Sequence, residues 1–285
     1  MKNWIELTRP KTLLTGLAPV FLAYGHLKFK EIPINDYLCA LTIFCVTMLQ
    51  IGSNLANDLY DGVRGIDNED RLGPQRSTSS GLVSPKKLKT VTFLVFFLAL
   101  ICGSAISYFC GIEIFIVGIL SLIVAFAYTG GPFPLSYYAL GELLAFLFFG
   151  PVAVCGVFYI QDKQISMNLV MSSLMPGFFS AALMSLNNYR DIYSDQKTRK
   201  KTIAIYLGEN KAKYLTAILI IIGTILGITY NNNGYYFLVL PLLLSLVSTL
   251  FIFKTPHGIN LNKGLGIISV TNFAWCTSYF ISTWF

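Results

Sequence analysis

Long apolar runs alternate with short polar connections along the whole chain. Nine such runs can be traced, at about 12–28, 36–56, 88–108, 112–130, 139–160, 168–188, 213–230, 234–253 and 264–284. A helix rises 1.5 Å per residue, so roughly 20 apolar residues cross the hydrocarbon core of a bilayer. The pattern predicts an all-α membrane protein with nine transmembrane helices in a bundle. The segments Thr129-Gly130-Gly131-Pro132-Phe133-Pro134 and Lys254-Thr255-Pro256-His257-Gly258 read as tight turns between helices. The two longest polar stretches, 57–87 and 187–212, follow the second and sixth runs. That spacing suggests two related halves, helices 1–4 and 5–8, with a ninth helix appended. Inverted or parallel repeats of this kind place a site at the interface of the halves. Residues 1–285 read as one membrane domain.

Composition agrees with the runs. Of 285 residues, 54% are hydrophobic and 12% charged, where a soluble domain carries about a quarter charged residues. The first run contains Pro19 and Gly25 and lacks a small-residue cleavage site, so it is expected to be retained. With the N-terminus in the cytoplasm, only Lys28, Lys30 and Lys163 of the 21 lysines and arginines fall on the outer side. The positive-inside rule asks for that asymmetry. The net charge of +7 is thereby a matter of membrane orientation. No basic stripe with interleaved aromatics points to nucleic acid. Cys39, Cys45, Cys102, Cys110, Cys155 and Cys276 form no CxxC and lie in or beside apolar runs, as small packing residues do. His26 and His257 stand alone in the sequence, and surface or interfacial positions are expected for them.

Chemistry is concentrated in two acidic clusters, each where an apolar run ends on the same predicted side. The first is Asn54-Leu55-Ala56-Asn57-Asp58-Leu59-Tyr60-Asp61, followed by Asp67; the second is Asn187-Asn188-Tyr189-Arg190-Asp191-Ile192-Tyr193-Ser194-Asp195. On a helix Asn54, Asn57, Asp58 and Asp61 share about 100° of arc, and Asn187, Asp191 and Asp195 about 80°. Carboxylates at a helix C-terminus face the negative end of its dipole and repel one another. A hard divalent cation with carboxylate and amide oxygens offsets both effects. Two facing clusters would hold Mg²⁺ ions and, through them, a diphosphate. Arg64, Arg190, Lys197 and Lys201 lie within a few residues of the carboxylates. Arg190 and Lys201 are the better placed to touch a diphosphate, while Arg199 and Lys200 read as orienting charges. Among 22 Phe and 16 Tyr, Tyr128 at the cytoplasmic end of helix 4 could offer its face to an allylic cation. A place in the interfacial aromatic belt is the other reading of that tyrosine.

The paired motifs resemble the UbiA superfamily of intramembrane prenyltransferases. They are Asn57-Asp58 with Asp61 and Asp67, and Asp191 with Asp195 followed by Lys201-Thr202. Gly65-Ile66-Asp67-Asn68-Glu69, Gly73-Pro74, Tyr128 to Pro132, Leu140-Gly141-Glu142, Phe148-Phe149-Gly150 and Ala204 to Gly208 are similar to the branch acting on 1,4-dihydroxy-2-naphthoate. The resemblance implies a nine-helix bundle around a central cavity open to lipid, with catalytic cytoplasmic loops 57–87 and 187–212. It implies Mg²⁺, for which Mn²⁺ may substitute, bound by Asn54, Asn57, Asp58, Asp61, Asn187, Asp191 and Asp195. Asp61, Asp67, Asp191, Asp195 and Tyr128 are the implied catalytic residues. Arg64, Arg76, Ser80, Arg190, Lys197 and Lys201 are the implied contacts to diphosphate or acceptor. The expected substrates are a polyprenyl diphosphate and 1,4-dihydroxy-2-naphthoate, joined with loss of CO₂ to give demethylmenaquinol. The expected location is the inner membrane of a bacterial cell, with the site facing the cytoplasm. Gly65 stands where the wider superfamily often has Asp, and Thr129 to Phe133 contains no Lys, so cations elsewhere must meet the diphosphate. The alternatives are prenyl or phytyl transfer to another aromatic acceptor, of phylloquinone or ubiquinone type, and, from a different class, a transporter. A transporter needs polar groups near the bilayer midplane, and here the charges stop at the helix ends.

Overall fold

The structure is a computed structural model that describes residues 2–65, 72–73, 77–78, 81–198, 200–230 and 235–284. The described residues form helices and turns, with no strand beyond one isolated bridge between Tyr138 and Lys201. In chain order the helices are α1 (Lys2–Thr8), α2 (Pro10–Phe29), α3 (Asp36–Val63), α4 (Pro85–Cys110), α5 (Ile112–Ala127) and α6 (Gly141–Phe149). There follow α7 (Pro151–Gln161), α8 (Met167–Arg190), α9 (Ile192–Gln196), α10 (Ile203–Thr229), α11 (Val239–Lys254) and α12 (Leu261–Ser282). Four of the long helices begin on a side-chain cap. Asn35, Ser84, Ser166 and Thr202 each accept from the backbone N–H three residues on, which satisfies one of the orphan donors of the first turn.

Every apolar run falls on helix, and seven helical segments among the described residues are long and apolar enough to cross a membrane. They are Asp36–Val63, Pro85–Cys110, Gly141–Gln161, Met167–Arg190, Ile203–Thr229, Tyr236–Lys254 and Leu261–Ser282. α5 is apolar but has only 16 residues. α2 has 20 residues and carries Lys11, His26 and Lys28, which dilute its apolar surface. The protein is an integral membrane protein. Phe97, Ile101, Leu240 and Leu243 remain exposed on the outer faces of α4 and α11, as apolar side chains facing lipid do.

The 139–160 run predicted as one helix is two. Pro151 has no N–H to continue the ladder, and the chain breaks at Gly150 (φ −115°, ψ −108°). A Cβ on Gly150 would lie 2.8 Å from Gly177 Cα and 2.9 Å from Ser173 O, so this break lets two backbones touch. The helix it touches, α8, is the centre of the bundle. Of its apolar window 67% is buried, against 22% for α3. α8 packs on α6, α10 and α12, while α2 packs on α7 and α12. Trp275, Tyr189, Phe158, Phe179 and Leu22 fill that core. α3 and α4 pack on each other beside it, around Leu55, Leu59 and Leu88.

Small polar residues tie the helices together, as they do where lipid offers no hydrophobic driving force. Thr15 meets Ser269 at 2.7 Å, Ser185 meets Thr216 at 2.8 Å, and Trp275 Nε1 donates to Ser245 at 2.9 Å. His26 is one of these ties, not a surface residue. It is 2% exposed, with Nε2 2.7 Å from Ser172 Oγ, Nδ1 3.2 Å from the Tyr279 hydroxyl, and its ring stacked on Tyr279. The six cysteines are free and buried or half-buried, as small packing residues should be.

Candidate active site

The ends of α3, α5, α6, α8, α10 and α12 that carry polar side chains meet at one end of the bundle. α3 continues to Val63, so Asn57, Asp58 and Asp61 are all helical. Asp61 is 2% exposed and Asp58 4%. α8 ends at Arg190, and Asp191 is a turn residue (φ −94°, ψ 10°) joining it to α9. The i to i−4 bonds nevertheless run on, with Asp191 N to Asn187 O at 3.2 Å and Asp195 N to Asp191 O at 2.8 Å. The second cluster thus keeps its one-sided arrangement through a break in the formal helix.

The two clusters meet at a cation. Lys200 Nζ lies 3.5 Å from Asp61 Oδ2 and 3.7 Å from Asp195 Oδ1, all three side chains being largely buried. From the sequence alone Lys200 reads only as a charge that orients the chain in the membrane. Its neighbour Lys201 is exposed and joins the 128–138 turn through its backbone N–H, which donates to Tyr137 O at 3.2 Å. Among the described residues no three His, Cys, Asp or Glu side chains are gathered closely enough to hold a metal alone. Carboxylates on α3 and α9 that share one cationic position are the donor type a Mg²⁺–diphosphate takes, one or two to an ion. The Lys200 ammonium marks where carboxylates from two distant helices jointly favour positive charge.

Arg190 differs from its expected role. Its Nε and Nη2 grip Asp191 at 2.8 and 2.6 Å, Nη2 also reaches Asn187 Oδ1 at 2.9 Å, and Nη1 reaches Asn262 Oδ1 at 2.8 Å. The residue is 2% exposed. With four donations made inside the protein, it is a clamp on the second cluster. Asn262, at the start of α12, passes the tie on by donating to Leu72 O at 2.7 Å. His257, which looked isolated, stands 3.0 Å from Arg190 O and packs edge-on against Tyr189 and Tyr193.

The first cluster is tied just as closely. Asn54 Nδ2 donates to Thr8 O and Thr12 Oγ1, joining α3 to α1 and α2. Asp58 accepts from Ser77 N at 3.1 Å, and Asn57 Oδ1 accepts from Thr129 Oγ1 at 2.7 Å. Arg64 donates to Thr129 O and Gly131 O, which holds the turn after α5 against the end of α3. Lys197 is exposed in the turn after α9. Asp67, Arg76 and Ser80 lie outside the described residues. Tyr128 is half-buried, and its hydroxyl donates to Met184 Sδ at 3.2 Å. Gly141 permits this position, since a Cβ there would stand 2.9 Å from the Tyr128 hydroxyl. Glu142 and Asn188, both buried, bond to each other at 3.0 Å in the same neighbourhood. Both stand in the sequence motifs, but their place in the chain alone points to no role. A carboxylate within an apolar run was the signal that could have found Glu142.

The UbiA prenyltransferase family matches residues 12–280. The chain belongs to that family. It is a prenyltransferase. A 1,4-dihydroxy-2-naphthoate octaprenyltransferase of Haemophilus influenzae is 32% identical over 258 residues, covering 85% of this chain and 83% of the relative. The protein of that name from Escherichia coli is 32% identical over 223 residues, covering 76% and 72%. A UbiA homolog from Archaeoglobus fulgidus, bound to GPP and Mg²⁺, shares the fold with a TM-score of 0.64 at 18% identity, over 98% of this chain and 99% of that one. The apo structure of a homolog from Aeropyrum pernix superposes with a TM-score of 0.67 at 18% identity, over 90% and 96%.

Proposed function

We propose that this protein is an aromatic prenyltransferase that moves a polyprenyl group from a polyprenyl diphosphate to 1,4-dihydroxy-2-naphthoate. The observation that carries the reading is the meeting of Asp61 and Asp195 at one cationic position, at one end of an apolar bundle. The acceptor follows from the curated relatives that bear its name. Asn57, Asp61, Asp191 and Asp195 are the residues proposed to hold Mg²⁺ or Mn²⁺, with Asn54, Asp58 and Asn187 beside them. When bound, the metal supplies positive charge to the diphosphate as it departs.

The chain's own residues do the rest. Lys200 adds positive charge at the acid pair and, with Arg64, Lys197 and Lys201 nearby, favours a group that leaves as an anion. Arg190 keeps Asp191 and Asn187 in place. Tyr128 offers an aromatic face to a carbon that gains allylic cation character. The surrounding apolar helices exclude the water that would otherwise capture it. The prenyl C1–O bond breaks, and C1 bonds to the ring carbon that bears the carboxylate. That carboxylate leaves as CO₂, its bonding pair restoring the aromatic ring. The bundle is proposed to hold nine spanning helices around a central cavity open to lipid, through which the apolar product departs. The N-terminus and the active site face the cytoplasm of a bacterial cell, and the helices lie in the inner membrane.

The test is direct. Membranes containing the protein are incubated with the naphthoate, a panel of prenyl diphosphates and Mg²⁺, and the product is identified by mass. A prenylated naphthalenediol lacking the carboxylate is expected. Prenylation of 4-hydroxybenzoate with none of the naphthoate would reject the assigned acceptor.

A further inference from the structure

One buried carboxylate is left over by the chemistry above. Glu142 stands in the first turn of α6 and is 6% exposed. Its Oε1 accepts from Asn188 Nδ2 at 3.0 Å, while its Oε2 is buried without a hydrogen-bond partner. No Lys, Arg or His among the described residues pairs with it. A buried carboxylate oxygen left unsatisfied is costly, by about 1–3 kcal/mol or more. The dipole of α6 favours an acid in its first turn, but the free oxygen still calls for a donor, which an apolar run does not supply. The neighbours show where that donor would be. Residue 141, directly before it, lies under the Tyr128 hydroxyl, and Asn188, to which Glu142 is bonded, directly follows Asn187 of the second cluster. Glu142 thus touches the second cluster without belonging to it.

The reactants narrow the donor to one group. The diphosphate is an anion and would be repelled by Glu142. The prenyl chain has no polar hydrogen. Only the aromatic acceptor brings hydrogen-bond donors, its ring hydroxyls. We infer that Glu142 binds the acceptor, its free carboxylate oxygen accepting a hydrogen bond from one ring hydroxyl, with Asn188 as the positioning residue that fixes the carboxylate. This inference rests on the function proposed above. A carboxylate at the hydroxyl draws its hydrogen outward and pushes electron density into the ring, which makes the ring carbon a better nucleophile. The hydroxyl keeps its proton, and no covalent bond at Glu142 is made or broken.

The experiment uses the full chain with 1,4-dihydroxy-2-naphthoate as acceptor. Two analogues serve as competitive inhibitors, 1-hydroxy-2-naphthoate and 4-hydroxy-2-naphthoate, each lacking one hydroxyl. Glu142→Gln is expected to lower kcat/KM for the dihydroxy acceptor about tenfold or more, as loss of a hydrogen bond to a charged group does. KM for the prenyl diphosphate should stay within about twofold. Glu142→Gln should weaken one analogue about tenfold and leave the other, which lacks the contacted hydroxyl, unchanged. Should Glu142→Gln not fold, Glu142→Asp, which keeps the charge but withdraws it, is read by the same three measurements. Asn188→Ala should reproduce the acceptor effect more weakly and spare the diphosphate KM. Equal weakening of both analogues, or loss of prenyl diphosphate binding, would make Glu142 a structural residue and overturn the inference. Wild-type kinetics in Glu142→Gln would overturn it too, leaving the proposed function standing. A wild-type protein that prenylates no naphthoate overturns the proposed function first, and this assignment with it.

Discussion

Lys200 Nζ lies 3.5 Å from Asp61 Oδ2, although helices α4 to α9 lie between the two residues in the chain. The same ammonium reaches Asp195 at 3.7 Å. Lys200→Met should therefore change how the acid pair handles other cations. Without the internal ammonium, less Mg²⁺ should be needed for half-maximal thermal protection of the purified protein. Prenyl transfer should fall about tenfold through loss of charge at the departing diphosphate. Unchanged Mg²⁺ dependence would show that Lys200 does not compete for the acid pair.

Removal of the divalent ion should abolish turnover. EDTA is expected to stop prenyl transfer, and Mg²⁺ or Mn²⁺ to restore it. Asp61→Asn and Asp195→Asn keep the shape and remove the charge, and each should cost about 10²-fold or more in kcat. Measurable full activity in EDTA would remove the metal from the scheme.

Arg190→Met should destabilise the protein by roughly 3–5 kcal/mol, because it leaves Asp191 charged and unclamped in a site where both partners are under one-tenth exposed. Thermal unfolding in detergent, followed by the loss of the monodisperse peak, measures this. The double change Arg190→Met with Asp191→Leu should recover much of the stability and none of the activity. A wild-type unfolding temperature in Arg190→Met would mean that the clamp is not structural.

Orientation can be read with single cysteines in a background stripped of the native thiols. Labels at Ser84 and Thr198 should react only from the cytoplasm, and a label at Gln164 only from outside. Ser84 precedes α4 and Thr198 lies near the acid pair, whereas Gln164 joins α7 to α8 at the opposite end, close to the Asn35–Gln161 contact. Reaction of Ser84 from the outer face would invert the topology.

By itself the sequence determined the class of protein and most of its elements. Apolar length is a local property, and a bilayer converts it directly into spans. Both acidic clusters were legible for the same reason, since helical spacing alone puts Asn57 beside Asp61 and Asn187 beside Asp191. What tertiary structure decided was which side chains meet. Lys200 and Lys201 are adjacent in sequence and alike in chemistry, yet only Lys200 faces Asp61 and Asp195, because the backbone of Lys201 is held against Tyr137. Arg190 looked like a diphosphate contact until the approach of Asn262 on α12 turned it inward as a clamp. The break at Gly150 depends on the backbone of α8 lying against it. Glu142 gains its meaning only from the positions of Asn188 and Tyr128. Each of these depends on the rotation and closeness of helices far apart in the chain, which no local pattern of residues encodes.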